Sequence, residues 1–454
     1  MNKLFKISLC SLGLTLSCIF SFSQEIVELG FKANSEVRCL FFDSLSQKLY
    51  VGGKFDSLLT DSGKKLIEVN KIAAWDGTKW DSVDNTHNHK TYVIGIKRVK
   101  DKLTFIGTGG AHILDSDTLK RLPLGGTILN VEEIKDTVYF VGLENFNKAD
   151  THKVEGIAKW DGQNFYAMPK LEKFGSFYNY SAISGYKDEI YVGGNFTDFQ
   201  IPERADLMKF DGQNWLPVGG GIDGGPWIYD MTVFKNELYI AGYFNKQGNW
   251  PEYAGRNIIK WDGENWYSVG GLGLPGQQVT DLNVNDSLLI AVGLFEIVAN
   301  EINTKHIAVL NGNKWCTYDF NLKNIGSVSS NDTMLFVGGW DVYNGQTLIG
   351  IKNFRNFSNC STPVAVEKIE PKDLFGKNLK AFPNPFEKST TIQWQENKEA
   401  KSLVILNQNG IEIKRINYPN NNLQMDLTDL PSGNYLVKLT LLDNSIMLTQ
   451  IIKK

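Results

Sequence analysis

The residues best suited to ligand contact are aromatic and charged side chains in a few polar segments of the chain. They are Tyr178, Tyr180, Trp227, Trp250, Tyr253, Arg256, Trp340 and Asp341. Tryptophan, tyrosine and arginine give large contact areas at low conformational cost and often dominate binding energy. The pattern therefore predicts a surface for a glycan or protein ligand. The alternative is that the same rings pack inside the fold.

Residues for metal or nucleophilic chemistry are sparse. His87 and His89 are spaced to share a cation, but a histidine pair in a polar segment is more often solvated. No Ser-His-Asp arrangement or zinc motif can be assembled from the sequence. We therefore expect no metal and no cofactor, and we favour a protein without catalytic activity.

A short motif that recurs about every 50 residues organises these segments. It consists of an aromatic or aliphatic residue, Asp-Gly or Asn-Gly, two further residues and a second aromatic residue. Its copies begin at Trp75, Trp160, Phe210, Trp261 and Leu310. The Asp-Gly pair predicts a type I′ hairpin turn, in which both central residues have positive φ.

Glycine-bearing strands mark one unit each. An apolar run and a polar turn precede every one of them, and a third and a fourth strand follow. The glycines are Gly53, Gly107, Gly142, Gly194, Gly242, Gly293 and Gly339. Seven four-stranded units predict an all-β fold, a seven-bladed β-propeller over residues 24–358. Glycine at these positions allows a close approach of neighbouring backbones.

The segment Ile26–Gly30 precedes the first unit and resembles a fourth strand. We expect it to pair into the last unit. Tight turns should fall on one face of the ring, and the longer, variable links on the other. Binding residues usually lie on such links, so the candidate residues are expected on the long-loop face.

The units resemble kelch-type propeller repeats, which also carry an aromatic-Gly-Gly strand, an aromatic-Asp turn and a tryptophan. The resemblance covers roughly residues 25–357. The turn here is shorter than the usual kelch turn. It also differs from the Asp-box of sialidases, in which one residue separates Asp from Gly, and this argues against sialidase chemistry. The resemblance implies a fold and leaves the ligand open.

Residues 1–23 have the pattern of a secretory signal peptide. Lys3 and Lys6 precede an apolar run from Ile7 to Phe20, and small residues end at Ser23. A lipoprotein signal that uses Cys18 is the alternative. Three cysteines follow the signal, namely Cys39, Cys316 and Cys360. Cys316 and Cys360 could lie on neighbouring outer strands, or all three could be buried thiols.

Composition excludes two other classes of protein. The chain has 454 residues and a net charge of -3, with acidic and basic residues mixed along it. It lacks the basic footprint of a nucleic-acid-binding protein. No later segment approaches the roughly 20 apolar residues of a membrane span. We expect a monomer.

The C-terminal part of the sequence is a separate module. Residues 359–377 read as a linker, and residues 378–454 predict a small Ig-like antiparallel β-sandwich. Its recurring residues are Pro383, Asn384, Pro385, Phe386, Gly410, Leu430, Gly433 and Tyr435. In this order they resemble the type A C-terminal sorting domain of the type IX (Por) secretion system. The resemblance implies export through the periplasm, recognition by the type IX machinery and its sortase, and attachment to the outer-membrane surface or release.

The function expected from the sequence is a secreted or cell-surface protein with a binding or adhesion role. The alternative is an extracellular carbohydrate-active enzyme, a lyase or hydrolase, with its site at the long-loop mouth of the central channel. Two carboxylates that converge in the channel would favour the enzyme. A channel lined by glycine and apolar residues would favour binding.

Overall fold

The structure is a computed structural model of an all-β chain, and no helix occurs among the residues it describes. Those residues are 24–30, 32–60, 62–83, 91–142, 146–147, 153–154, 156–169, 179–195, 206–219, 222, 227–244, 256–274, 276–299, 301–343, 346–364, 368–369, 379–394, 399–407, 412–442 and 446–454.

In the described part of residues 24–369, seven antiparallel sheets have four or five strands each, and we number them sheet 1 to sheet 7. Within a sheet, the first to fourth strands are named in bonded order. Sheet 1 is Val37–Asp43, Lys48–Gly53, Ile72–Trp75 and Trp80–Ser82; sheet 2 is Val93–Val99, Lys102–Gly107, Gly110–Asp115 and Thr118–Arg121; sheet 3 is Ile128–Ile134, Thr137–Gly142, Ile157–Trp160 and Phe165–Ala167. Sheet 4 is Asn179–Tyr186, Glu189–Asn195, Leu207–Phe210 and Trp215–Pro217; sheet 5 is Trp227–Phe234, Glu237–Tyr243, Ile258–Trp261, Trp266–Ser268 and a fifth strand Lys368–Ile369. Sheet 6 is Gln278–Asn285, Leu288–Leu294, Ile307–Asn311, Lys314–Thr317 and a fifth strand Asn359–Cys360; sheet 7 is Ile325–Ser330, Met334–Tyr343, Gln346–Lys352 and Glu25–Glu28.

Smaller sheets and the C-terminal sheets complete the described strands. Three small sheets lie in the loops of this region. They are Lys32–Ala33 with Ser57–Leu59 and Lys65–Glu68, Phe146–Asn147 with Lys153–Val154, and Ile297–Val298 with Ile302–Asn303. The C-terminal sheets are Lys380–Phe382, Ser389–Gln393 and Asn422–Asp426, and Glu412–Asn417, Ala400–Leu406, Gly433–Leu441 and Ile446–Lys453. One buried cluster that includes Ile392 and Leu403 joins these two sheets.

The first strands of sheets 1 to 7 contact one another in chain order. The first strand of sheet 7 also contacts that of sheet 1. Apolar clusters fill the spaces between successive sheets; one of them joins Phe234 of sheet 5 to Val279 of sheet 6. Another joins Phe336 of sheet 7 to Val37 of sheet 1. The core of this region therefore lies between the faces of neighbouring sheets.

The N-terminal segment supplies the fourth strand of sheet 7. Glu25 to Glu28 pair antiparallel with Ile349 to Lys352, and Ile26 lies opposite Ile351. This confirms the expectation that Ile26–Gly30 pairs into the last unit. The two ends of this region are thus joined by a backbone ladder.

A tryptophan at or near the start of the fourth strand bonds four of the numbered sheets to the sheet before them. Its indole Nε1–H donates to a backbone carbonyl oxygen just after the fourth strand of the preceding sheet. The pairs are Trp80 to Leu29 at 3.1 Å, Trp215 to Pro169 at 2.9 Å, Trp266 to Gly219 at 2.9 Å and Trp315 to Val269 at 2.6 Å. Leu29 follows the N-terminal strand, so sheet 1 is bonded to sheet 7 in the same way as its counterparts.

Replacing Trp315 with phenylalanine should therefore lower the free energy of unfolding. Trp315 is fully buried, and the change leaves the Val269 carbonyl without its donor, at a cost of about 1 to 3 kcal/mol. Trp215→Phe is the matched control, because its bond to Pro169 is solvent-exposed. Urea unfolding of both variants measures the difference. Equal losses would show that the buried indole bond contributes nothing beyond packing.

The turns of the repeated motif differ from the prediction. Asp76, Asp161, Asp211 and Asp262 do not have positive φ, whereas the glycines that follow them do, so the type I′ prediction was wrong. The loop has four residues, and Oδ1 of Asp76 accepts hydrogen bonds from the backbone N–H groups of Thr78 and Lys79, both at 2.9 Å. The carboxylate thus satisfies two loop amides and closes the wider turn. Paired positive φ values occur instead between first and second strands, as at Lys100-Asp101.

The segment predicted as a linker is partly strand. Asn359–Cys360 pairs with the fourth strand of sheet 6, and Lys368–Ile369 pairs with that of sheet 5. Cys316 and Cys360 form a disulfide across the first of these pairings, and Cys39 is a buried free thiol. Of the two cysteine alternatives, the one with neighbouring outer strands is confirmed. The chain beyond sheet 7 is therefore tied covalently to sheet 6.

Candidate ligand-binding site

A β-bulge interrupts the start of the first strand in each of the seven numbered sheets. The ladder skips one residue at each bulge, and these residues are Arg38, Ile94, Leu129, Ser181, Tyr229, Thr280 and Gly326. We call this set the bulge ring. All seven residues line one cavity of about 570 Å³. Bulges redirect side chains and are frequent beside functional sites, so the ring is a candidate for ligand contact.

The glycines that mark the repeat explain why the bulges form. Each one is the register partner of the residue just before the bulge, as Gly107 is of Val93 and Gly194 is of Tyr180. A Cβ on Gly107 would lie 1.8 Å from the Tyr92 carbonyl oxygen, closer than any side chain can approach. The predicted close backbone approach is therefore confirmed. The glycines were visible in the sequence, but only the strand register shows which residues of the first strands are skipped.

Aromatic side chains of sheet 5 line the cavity where the first strand begins. Trp227 is 45% exposed and packs edge-on against Tyr229, with ring centroids 6.3 Å apart. The Tyr229 hydroxyl donates to Oε1 of Gln278 at 3.2 Å, and burial raises the pKa of this tyrosine. Trp227, which was predicted to contact a ligand, therefore lines the cavity. Tyr229 was missed because nothing in the sequence marks it as a bulge residue.

Polar side chains of sheet 4 lie on the same wall. Asn179 lines the cavity, and its buried Oδ1 has no hydrogen-bond partner among the described residues. Ser181 donates through Oγ to the Ile228 carbonyl oxygen. A buried amide oxygen without a partner is costly, and a ligand hydroxyl could satisfy it. The wall therefore combines exposed aromatic surface with an available acceptor.

Two carboxyl groups of the cavity lining meet. Asp230 and Asp281 each follow a bulge residue and are hydrogen-bonded to each other. Because both oxygens of Asp230 accept backbone N–H groups, we assign the shared proton to Asp281. Burial is the largest cause that raises the pKa of both groups, and the charge of Asp230 adds to the rise at Asp281. Neither residue was singled out from the sequence, because they lie 51 positions apart. They come together only because the first strands of sheets 5 and 6 are neighbours.

The oxygens of this carboxyl pair also bond backbone amides. Asp230 accepts from the N–H of Met231 and from that of Leu282 in sheet 6, both at 2.9 Å. Asp281 accepts from the N–H of Val328 in sheet 7 at 2.8 Å. The pair therefore links the first strands of sheets 5, 6 and 7.

Lys97 supplies the positive charge nearest to this pair. It forms an ion pair with Glu132, which also lines the cavity. Burial alone would lower the pKa of Lys97, but the charges of Glu132, Asp230 and Asp281 outweigh it and raise this pKa. The charged side chains around the carboxyl pair are thus paired with one another.

Substitutions at the two carboxyl groups should differ in effect. Asp281→Asn keeps a donor toward Asp230 and an oxygen toward Val328, so little change in the free energy of unfolding is expected near pH 5. Asp230→Asn turns an NH2 group toward a backbone N–H, and it should cost about 1 to 3 kcal/mol. Urea unfolding of both variants tests this order, and equal losses would contradict the assigned proton.

The pH dependence gives a second measurement on the same variants. Because folding raises both pKa values above the ordinary 3.8, the stabilisation is complete below that pH and is lost as the pH rises through the folded values. The wild type should therefore lose stability relative to Asp281→Asn as the pH rises above about 4. His306, whose pKa burial lowers, acts equally in both proteins. A pH-independent difference would rule out a shared proton.

The other residues predicted for ligand contact are dispersed. Tyr180 is 5% exposed and packs beside Gly156, and Arg256 is 6% exposed and donates to the Gly273 carbonyl oxygen at 3.0 Å. Both side chains are buried, and for Tyr180 this is the stated alternative that the ring packs inside the fold. Trp340 is 58% exposed on the second strand of sheet 7, outside the cavity lining.

Asp341 lies in that same strand, and its side chain is outside the described part of the structure. Tyr178, Trp250 and Tyr253 also lie outside the described residues.

The recurring residues of the C-terminal module hold its last strand. Asn384 accepts through Oδ1 from the N–H of Ile452 at 2.8 Å, and the Phe386 backbone bonds Ile452 and Lys454. Phe386 itself is buried in the core of the module.

The remaining motif residues shape the turn before the strand Gly433–Leu441. The Tyr435 hydroxyl donates to the Pro431 carbonyl oxygen at 2.7 Å, Leu430 packs against the core, and Gly433 has a φ of 155°. Pro383 accepts a hydrogen bond from Thr390, and Pro385 precedes Phe386 directly. Gly410 is outside the described residues. The motif therefore builds a compact C-terminal end.

Comparison with protein families identifies this module as a secretion sorting domain. Residues 380–454 match the family of secretion system C-terminal sorting domains. The domain is that of type IX secretion, so the protein is exported by that route to the cell surface or the medium and interacts with its machinery. Among the described residues, no helix is long and apolar enough to cross a membrane.

Curated proteins and solved structures give less detail. No curated protein matches the chain. Two similar structures are extracellular domains from B. thetaiotaomicron, named for a one component and a hybrid two component system. They share 10% and 11% identity and have TM-scores of 0.46 and 0.49. Both matches cover 95% of this chain but only 58% and 59% of those chains. A computationally designed protein, Ika8, matches at 11% identity and a TM-score of 0.36, over 80% of this chain and 97% of its own.

Proposed function

We propose that residues 24–358 form a seven-bladed β-propeller with kelch-like repeats, and that this propeller is a secreted or surface-attached glycan-binding protein. Supporting the fold are the seven successive sheets of the described residues, the contact between first strands that runs from sheet 7 back to sheet 1, and the N-terminal strand in sheet 7. Closed propellers protect their strand edges in this way.

One observation carries the binding role. The bulge ring gives a cavity of about 570 Å³, whose wall carries the exposed ring of Trp227 beside Tyr229 and the unpartnered oxygen of Asn179. Ligand cavities usually combine aromatic surface with a few convergent polar groups. A sugar presents a C–H face that can lie on an aromatic ring and hydroxyls that donate and accept hydrogen bonds. These properties match the wall.

A glycan array probed with the exported protein tests the proposal. We expect retention of a limited set of oligosaccharides, with competition by the same sugars in solution. Retention of no glycan would overturn the glycan-binding role. Capture of a protein ligand at the cavity instead would redirect the proposal to an adhesion protein.

The Asp230–Asp281 pair supports a second candidate, a carbohydrate-active hydrolase. Two carboxyl groups in the channel are the feature that would favour an enzyme. However, their oxygens already accept backbone N–H groups, and the groups touch each other. Glycoside hydrolases hold their carboxyls about 5 to 9.5 Å apart so that a sugar or water can lie between them. Reducing ends released from a retained glycan, and lost in Asp230→Asn, would favour the hydrolase.

The module at the C-terminus completes the proposal. We assign residues 1–23 to the signal peptide, residues 359–377 to the connection, and residues 378–454 to an Ig-like sorting domain that the type IX sortase removes. The exported protein is a monomer in this account. Its intact mass and its mass by light scattering test both points.

A further inference from the structure

The bulge ring contains one charged side chain, Arg38 of sheet 1. The other ring members are aliphatic, hydroxyl-bearing, aromatic or glycine. Resting on the proposed function, we propose that the ligand of the cavity is an anionic oligosaccharide and that Arg38 binds its acidic group. The shared chemistry is a negatively charged oxygen cluster on a sugar, either a carboxylate or a sulfate ester.

The hydrogen-bonding state of Arg38 leaves it able to bind. Its Nε donates to Oε2 of Glu36 at 3.2 Å, and its two terminal nitrogens bond to no other residue in the described part of the chain. The guanidinium lies over the ring of Tyr92, 5.8 Å from the centroid. A guanidinium fixed on an aromatic ring with both terminal nitrogens available suits bidentate recognition of an acidic group.

A second cation makes the neighbourhood of Arg38 positive. Lys54 pairs with the same Glu36 carboxylate at 2.8 Å and lies over the same Tyr92 ring at 5.6 Å. Two cations therefore share one carboxylate. Burial raises the pKa of Glu36, but its bonds to Lys54 and Arg38 outweigh this and lower it, as expected where cations are in excess. The local charge attracts an anion.

The acidic groups of the cavity do not cancel this charge. Glu132 is paired with Lys97, while Asp230 and Asp281 share a proton and bond backbone amides. All three thus have partners of their own, whereas the terminal nitrogens of Arg38 have none in the described part of the chain.

The placement of Arg38 and Trp227 indicates the size of the ligand. Arg38 belongs to sheet 1 and Trp227 to sheet 5, which are not neighbours in the contact order, yet both line the same cavity. A ligand that touches both must reach across the cavity. An oligosaccharide with its acidic group on one sugar and a stacked ring on another meets this requirement.

Two pairs of probes test the inference on the full exported protein. Trigalacturonic acid is compared with its methyl ester, and a κ-carrageenan hexasaccharide with its desulfated form, by calorimetry. Within each pair the ring system is constant and the charge is removed. We expect the acidic member of at least one pair to bind about tenfold or more tightly. The pair that shows this distinguishes a carboxylate from a sulfate ligand.

Variants of Arg38 assign the preference to this side chain. Arg38→Gln should remove the preference, so that the acidic probe binds no more tightly than its neutral member, and Arg38→Lys should retain part of the preference. Arg121→Gln, on the fourth strand of sheet 2, removes a cation outside the cavity lining and should change neither affinity. A preference that persists in Arg38→Gln overturns the assignment.

A salt titration of the wild type gives a result that no folding defect can imitate. Raising sodium chloride from about 50 to about 500 mM should weaken binding of the acidic probe and spare the neutral one. Equal binding of both members of each pair overturns the inference but leaves the proposed function intact. Binding of no saccharide on the array or in solution overturns both.

Discussion

Replacing Trp227 with alanine is expected to weaken glycan binding by about 30-fold or more, a loss of about 2 kcal/mol, with the melting temperature unchanged. Trp227 is 45% exposed at the start of the first strand of sheet 5, so its removal leaves no cavity in the core. It lines the proposed site and packs on Tyr229. The side chain thus offers contact area without a structural role.

Trp340→Ala is the control that separates a specific loss from a general one. Trp340 is also exposed, at 58%, but it lies on sheet 7 outside the cavity lining. Calorimetry with a glycan retained on the array should give wild-type affinity for this variant. If Trp340→Ala weakened binding and Trp227→Ala did not, the site would lie outside the cavity.

Deleting residues 24–30 should lower the free energy of unfolding by about 5 kcal/mol and the melting temperature by about 10 °C. The deletion removes the strand paired with Ile349 to Lys352, the buried side chain of Leu29 and the carbonyl that accepts from Trp80. It also removes Val27 and Leu29 from the apolar cluster between sheets 7 and 1.

Two further measurements make the deletion result specific. Glu25→Gln alters an exposed side chain of the same strand and should leave the melting temperature unchanged. A synthetic peptide of residues 24–33 should restore part of the loss when added to the deleted protein. A deleted protein with a wild-type unfolding midpoint would show that this strand does not join sheet 7 to sheet 1.

The part of the fold that could be predicted rests on local chemistry. Glycine, turn residues and short apolar runs repeat with a fixed period, so strand content and the pairing of Ile26 with the last unit followed from the sequence. The turn type did not follow, because Asp76 uses its side chain to hold a four-residue loop. These hydrogen bonds of the Asp76 carboxylate outweigh the preference of Asp-Gly for positive φ at both residues, from which a type I′ turn was predicted.

The candidate site was harder to predict, because it depends on register. The bulge ring includes Arg38, Tyr229 and Thr280 only because the strand ladder skips each of these positions. Asp230 and Asp281 meet only when successive first strands come together. Tyr180, by contrast, reads as a surface aromatic beside polar residues but packs against Gly156. Composition alone cannot distinguish an aromatic side chain that faces a ligand from one that fills a gap between sheets.

The most direct test is a crystal structure of the exported protein with an oligosaccharide retained on the glycan array. The account predicts density for the sugar inside the cavity, with one ring against Trp227, a hydroxyl on Oδ1 of Asn179 and any acidic group on Arg38. A sugar bound only to the outer strands of the numbered sheets, with none in the cavity, would contradict it.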